Sequence, residues 1–384
     1  LAIQRRENDL VGASFGRGMW ILDDYSPLRS VSPSVMTDSA AKLFSVRDAL
    51  WYLPRRTIGD SGPAYQGHGY FVAENPPFGA VFTYYLREPL QSLAKARQAR
   101  EKKLLEAGKD TPFEGFAAVE RERRQKEPEI ILLVKSSGGE TVRRVYGPTE
   151  AGIHRVAWDL RFPAPDAIDV KEPSFYGEED PPVGPLAAPG SYSVTLLQKV
   201  DGNTAVLDGP VEFNVVQMRE GALPGASPQE VAEFQQRVAR LRRGVTGFMR
   251  KAQRLNQRFE FLAEAVRKTP SQPDQLDRAY RKLRLELDDL VKRMDGHPTR
   301  REAGEPGRHT VSTRLDRLAV GTLYSTYGPT PTHRAQIEIA EKDFSVLRAE
   351  LNRLQNQKLP DFEKKLREAG GPWTPGQLVP ELSD

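Results

Sequence analysis

Cysteine is absent from the 384 residues, which excludes disulfides, thiolate metal sites and cysteine nucleophiles. Histidine is scarce: His68, His154, His297, His309 and His333 stand far apart, and no HExxH or other metal-ligand spacing joins them. No Walker loop, dinucleotide fingerprint or G-x-S-x-G elbow occurs. No apolar run approaches the roughly 20 residues that a membrane-spanning helix requires. Neither sign of charge dominates, because 56 Lys and Arg stand against 52 Asp and Glu and leave a formal +4. So small an excess does not call for nucleic acid, which is met by a clustered basic face. These absences lead us to expect no cofactor, no metal, no nucleic-acid partner and no membrane span.

What is present is patterned. The length allows two or three domains with sizeable cores. Residues 9–29 read DLVGASFGRGMWILDDYSPLR, two short strands around the turn Gly16-Arg17-Gly18. Leu10, Val11 and Ala13 form one apolar run, and Met19, Trp20, Ile21 and Leu22 the next. A lone hairpin of this size is marginal in water. The expectation is therefore a chain that begins inside a sheet whose other strands lie upstream, as the C-terminal part of a longer protein. An export signal would then also lie upstream, outside this chain.

Residues 31–79 are rich in Pro, Gly and Ser and read as an irregular connector, with aromatics such as Trp51 and Tyr52 as packing anchors. Over 80–217 the pattern is β, with strands expected at 80–86, 129–135, 141–146, 153–160, 191–198 and 210–216. Ser137-Gly138-Gly139 marks a hairpin turn between the second and third. Short strands between turn residues predict an antiparallel β-sandwich, with Trp158 as the large apolar anchor of its core and Asp159 turning the chain. A charged insertion at 88–127 reads as helical, either a solvated excursion from a sandwich edge or a clasp against upstream strands.

The strongest periodicity comes last. Val231, Phe234, Val238, Leu241, Val245, Phe248, Ala252, Leu255, Phe259, Leu262 and Val266 alternate spacings of three and four, one apolar stripe along a long helix. Leu276, Tyr280, Leu283, Leu287, Leu290 and Met294 repeat the pattern, as do Ile337, Ala340, Phe344, Leu347, Leu351 and Leu354. Lys358 and Pro360 predict a kink or break in the third helix. An antiparallel helical bundle over 226–369 is expected, with a short helix near 315–323 and a tail at 370–384. Gly244 and Gly247, inside the first helix, mark either a close crossing or a weak point.

Several of these segments, in this order, carry a resemblance. The opening hairpin resembles the closing strands of bacterial secreted β-propeller proteins with BNR or sortilin-type repeats, often labelled glycosyl hydrolases. Ser14-Phe15 stand where that family usually has Thr-His. The likeness continues through Asn75-Pro76-Pro77-Phe78-Gly79-Ala80, Ala157-Trp158-Asp159-Leu160-Arg161 and Ala188-Pro189-Gly190-Ser191-Tyr192. Gly152, His154, Val156, Trp158 and Asp159, followed by Pro189, Gly190 and Tyr192, are similar to the immunoglobulin-like domain of flagellar hook-capping proteins. The resemblance implies a fold of final propeller strands (1–30), an Ig-like antiparallel β-sandwich and a helical bundle. It also implies an extracytoplasmic location, upstream propeller strands or another chain as partner, and carbohydrate as a candidate ligand.

Catalytic constellations are lacking. Asp23 and Asp24 are adjacent, so on a strand they point to opposite faces and make a poor acid/base couple. A turn or strand-closing role fits them better. Arg17, between two glycines, either holds an anion in a propeller channel or bonds neighbouring carbonyls. Arg17, Asp23 and Asp24 are the candidate binding residues, and no catalytic residue is assigned. Gly67-His68-Gly69 is a flexible loop signature. Three functions are weighed. The first is a non-catalytic structural and interaction module of an exported propeller protein. The second is part of a sialidase-like propeller glycoside hydrolase whose active site lies upstream. The third is an assembly subunit that docks another chain through its helical seams.

Overall fold

The computed structural model describes residues 1–16, 18–54, 75–168, 182–221, 223–305 and 307–379. Over them the protein is mixed α and β, with three sheets. It divides into two units, Leu1–Pro163 with Ala187–Ala222, and Ala164–Leu186 with Leu223–Asp384.

The first unit opens with β1 (Ala2–Gln4), β2 (Asp9–Ala13) and β3 (Met19–Leu22), antiparallel neighbours in one sheet. A short helix α1 (Pro33–Asp38) follows, and the Ser32 hydroxyl accepts the Val35 N–H at its start. β4 (Ala41–Leu43) and β5 (Ala49–Trp51) come next. Here the expectation of an irregular connector is corrected: the described part of 31–79 supplies a strand to each of the next two sheets. At three residues apiece these strands are too short for alternation to reveal them.

β6 (Ala80–Leu86), β7 (Glu129–Ser136), β8 (Thr141–Gly147), β9 (Gly152–Trp158), β10 (Gly190–Val200) and β11 (Asn203–Gln217) complete the unit. One sheet has the order β5-β11-β10-β7-β8, antiparallel except for the parallel pair β5–β11. The other is β4-β6-β9, antiparallel throughout. These two sheets face each other across an aromatic cluster. Phe82 and Trp158 come from the three-stranded sheet, Tyr192 and Phe213 from the five-stranded one. Ring centroids lie 5.5 Å apart for Phe82–Phe213 and 5.3 Å for Trp158–Tyr192, both edge-on. Trp158 is buried and donates its indole N–H to the Arg161 carbonyl. Asp159 then turns the chain by accepting the Arg161 N–H.

Asp208 joins the two layers. The β10–β11 pairing is irregular where Leu196 faces Asp208, and there the Asp208 carboxylate accepts the Leu43 N–H at 2.7 Å and pairs with Lys42. Burial pushes this carboxyl up, but the Leu43 and Gly209 N–H groups and Lys42 outweigh it and hold it below the usual range.

Between β6 and β7 stand α2 (Leu93–Glu106) and α3 (Phe116–Arg124), neither with a buried side chain. Arg97 clips them together by bonding both Glu101 and Glu122.

The second unit is helical: α4 (Pro228–Lys268), α5 (Pro273–Asp295), α6 (Pro298–Glu302), α7 (Val311–Leu323), α8 (Pro331–Arg353) and α9 (Leu359–Glu368). A capping box between Ser227 and Glu230 starts the 41-residue α4. All eleven of its seam residues are buried. All of them but Val231 share one core with Leu276, Leu283, Leu287, Leu290 and Met294 of α5 and Ile337, Ala340, Leu347 and Leu351 of α8. Inter-helix ion pairs fix the directions. Arg237–Glu341 and Arg258–Glu363 ascend together along α4 and the α8–α9 run, while Arg293–Glu350 and Lys358–Glu286 show α5 running the opposite way. Where a kink or break was expected at Lys358 and Pro360, the α-helix gives way to one widened π turn, Leu354–Lys358, and resumes as α9. A widened turn absorbs the missing Pro360 N–H.

The described residues 164–168 and 182–186 lie in sequence between β9 and β10, yet they belong to the helical unit. Asp166 pairs with Arg242 at 2.8 Å, and Gln235, buried on α4, accepts the Leu186 N–H while donating to the Thr322 carbonyl.

Two tests follow from this packing. A Cβ at Gly244 would sit 2.5 Å from the Phe344 ring, whereas one at Gly247 would meet nothing within 4 Å. Gly247→Ala should therefore raise unfolding stability by about 1 kcal/mol from helix propensity alone. Gly244→Ala should show no such gain until Phe344→Leu relieves the crossing, as read by urea titration. For Asp208, whose folded pKa is depressed, the stabilisation is complete above the unfolded value of about 3.9 and is lost as pH falls through the folded one. Asp208→Asn should cost about 1–3 kcal/mol at neutral pH. The gap between the two proteins should narrow below about pH 4.

Candidate functional site

Strand β3 is apolar and exposed along its whole length. Its turn is closed by the Ser14 N–H donating to the Gly18 carbonyl at 2.9 Å and the Gly18 N–H donating to the Ser14 hydroxyl at 3.2 Å. The Trp20 indole lies over Gly18, where a Cβ would fall 2.2 Å from the ring and make it shift. With residue 14 bonded to 18, and with Gly12 facing Trp20 and Leu10 facing Leu22, the ladder alternation turns the Trp20 and Leu22 peptide groups toward β2. It turns those of Met19 and Ile21 outward, to the edge of the sheet. Among the described residues no strand lies beyond that edge. Side chains alternate across the sheet, so Met19 and Ile21 share one face and Trp20 and Leu22 the other.

All four are exposed, at 71%, 63%, 59% and 41% for Met19, Trp20, Ile21 and Leu22 in turn. A strand of four large apolar residues thus shows water both faces and one hydrogen-bonding edge. Such an edge is a template for another strand, and β3 carries none of the charges, prolines or bulges that usually blunt one. Ile3 on β1 and Leu1 and Phe15 beside the sheet are exposed as well.

Two arginines tether this sheet to its own unit. Arg155 on β9 donates to the carbonyls of both Asp23 and Asp24. Arg47 donates to the Glu7 carbonyl and carboxylate, each at 2.7 Å, and holds that carboxyl below its usual range. The Asp24 carboxylate accepts from the Ser26 N–H and hydroxyl, its own N–H donates to Asp9, and its φ of 38° places it in the left-handed region. Its chemistry is that of a turn closing the strand. Asp23 supplies its carbonyl to Arg155. Arg17 and the Gly67-His68-Gly69 loop lie outside the described residues.

No group of three or more His, Asp or Glu among the described residues is arranged to hold a metal. No helix of the described residues is long and apolar enough to cross a membrane. The hairpin itself was legible from its apolar runs. Strand β1 and the tethers Arg47 and Arg155 were not, because a three-residue strand and two isolated arginines leave no periodic signal.

The tether can be tested. Arg155→Ala removes two charge-assisted bonds, each worth about 1.5–3 kcal/mol. Amide exchange over residues 2–24 should accelerate by at least about tenfold, while the near-UV signal of the Trp158 cluster stays unchanged.

Comparison with known proteins finds no matching family model, and neither a curated protein nor a solved structure matches the chain.

Proposed function

We propose that this chain is a non-catalytic structural and interaction module at the C-terminal end of an exported β-propeller protein. β1–β3 supply its closing strands, the two facing sheets form the Ig-like sandwich, and the helices form an antiparallel bundle. The observation that carries this reading is β3, apolar and exposed on both faces with an unpaired edge. A propeller blade is a four-stranded sheet covered on both faces by its neighbours. A three-stranded sheet that lacks one strand and both covers fits that position. The order of the sequence motifs supports the same assignment.

The helical seams do not supply a competing docking surface, since their residues are covered within the chain. Partner recognition is therefore assigned to the strand edge, by β-augmentation from upstream strands. A glycan-cleaving activity of the whole protein would belong to residues upstream of β1, and no step is assigned to residues here.

Intact mass and light scattering on the natively purified protein test this first. A covalent mass well above the 43.0 kDa of this chain supports the reading. A stable 43.0 kDa monomer with β3 open to solvent overturns it. Ile21→Lys adds a second arm. In the isolated chain it should shift stability by no more than about 0.5 kcal/mol, as an exposed substitution does. In the native protein it should be strongly destabilising, because it places a charge in a covered sheet. Equal effects in the two settings would sink the assignment.

A further inference from the structure

We propose that residues 373–379 form a releasable strap, docked on the helical unit in a resting pose and able to detach as one piece. The segment follows α9 through Gly370, whose φ is 79°, and Gly371. Gly371 donates its N–H to the Leu366 carbonyl at 2.8 Å, and a Cβ there would strike Leu366 and Thr269. This glycine pair is a hinge tied to the end of the helix. Beyond it, Thr374-Pro375-Gly376-Gln377 makes a tight turn. The Gln377 N–H donates to the Thr374 carbonyl at 3.2 Å, proline occupies the second position and Gly376, at φ 114°, the third. The Trp373 indole N–H donates to the Leu378 carbonyl at 3.0 Å and closes the two ends on each other.

The strap is thus bonded to itself. Among the described residues none of its hydrogen bonds reaches a helix. Its polarity is also inverted. Thr374 is 2% exposed with its hydroxyl unpaired, and both polar atoms of the Gln377 amide are buried and unpaired. Meanwhile Trp373, Leu378 and Val379 stand at 50%, 87% and 83% exposure. Buried polar atoms without partners are unfavourable and regain hydrogen bonds in water. The docked pose is held by shape, with the Gly376 backbone lying where a Cβ would come within 2.8 Å of the Arg258 guanidinium. Arg258 in turn makes a bidentate pair with the buried Glu363. Release hydrates Thr374 and Gln377, frees the Arg258 guanidinium of its contact with Gly376, and leaves the turn intact as a presented Trp-Leu-Val motif. It is a local opening with a low free energy relative to the core beneath it.

Hydrogen exchange read by mass spectrometry on the full chain decides the matter. In the wild type, amides of 373–379 should exchange far faster than those of α9 and α4. The double variant T374V/Q377L removes the unpaired groups and keeps the shape, and should slow strap exchange by about tenfold or more with α9 unchanged. Gly376→Ala places a methyl against Arg258 and should accelerate it, with the thermal midpoint of the helical unit unmoved. Two results overturn the proposal. One is strap exchange in the wild type only through global unfolding. The other is T374V/Q377L exchanging as fast as or faster than wild type, which would make the polar groups anchors.

Discussion

Eleven apolar side chains on one face of α4 cannot remain in water, and the arrangement of the helical unit follows from covering them. A stripe along a 41-residue helix is too long for one partner of ordinary length. It is met by α5, α7 and the run from α8 through α9. Burial is non-directional, so the stripe alone fixes neither register nor orientation. Those come from ion pairs at the margins of the core, Arg237–Glu341, Arg258–Glu363, Arg293–Glu350 and Lys358–Glu286. The π turn at Leu354–Lys358 belongs to the same logic. A proline that stopped the helix would leave Leu359, Phe362 and Leu366 without a continuous backbone to carry them to the end of α4. One wide turn keeps all three in the core.

The same constraint, at a period of two, builds the facing sheets. Phe82, Trp158, Tyr192 and Phe213 fill the space between the layers, and the polar devices sit where the alternation fails. Asp208 occupies an irregularity in the β10–β11 ladder and uses its carboxylate to satisfy a backbone N–H of β4. Trp51 does likewise in passing its indole N–H to the Ala187 carbonyl. Polar groups in this unit complete what the apolar pattern leaves unbonded.

Periodicity also decides what could be read in advance. The seams of α4, α5 and α8 were legible residue by residue, since eleven or six repeats outweigh any local exception. The strands β6 to β11 were legible because each is seven or more residues long. The three-residue strands β4 and β5 were not, and a Pro/Gly-rich composition concealed that they complete two sheets. Nor did anything foretell that 164–168 and 182–186 belong with the helices. Their attachment rests on single contacts, Asp166 to Arg242 and Leu186 to Gln235, which have no spacing to detect. In the candidate site, the apolar run of β3 and the turn role of Asp24 were visible in sequence, whereas the strap's inverted polarity depends on which way each side chain points. A sequence reports composition along the chain, and direction enters only with the fold.

Exposure of apolar residues is common on protein surfaces, so the weight placed on β3 needs a reason beyond its percentages. Leu285 on α5 and Val320 on α7 are about as exposed as Trp20, yet each sits on a helix whose other faces are satisfied. Every backbone group in those helix interiors is bonded within the helix, so an exposed side chain there carries only its own hydration penalty. β3 differs in kind. Its apolar residues are consecutive, they occupy both faces, and the Met19 and Ile21 peptide groups point outward beside them. Covering one face would leave the other wet, and pairing the edge would leave both. Only a strand together with layers above and below satisfies all three, and that is the setting of a strand inside a closed arrangement of sheets. A single flat docking partner meets one of the three demands, which is why the edge strand argues for incorporation into a sheet assembly over adhesion to a surface.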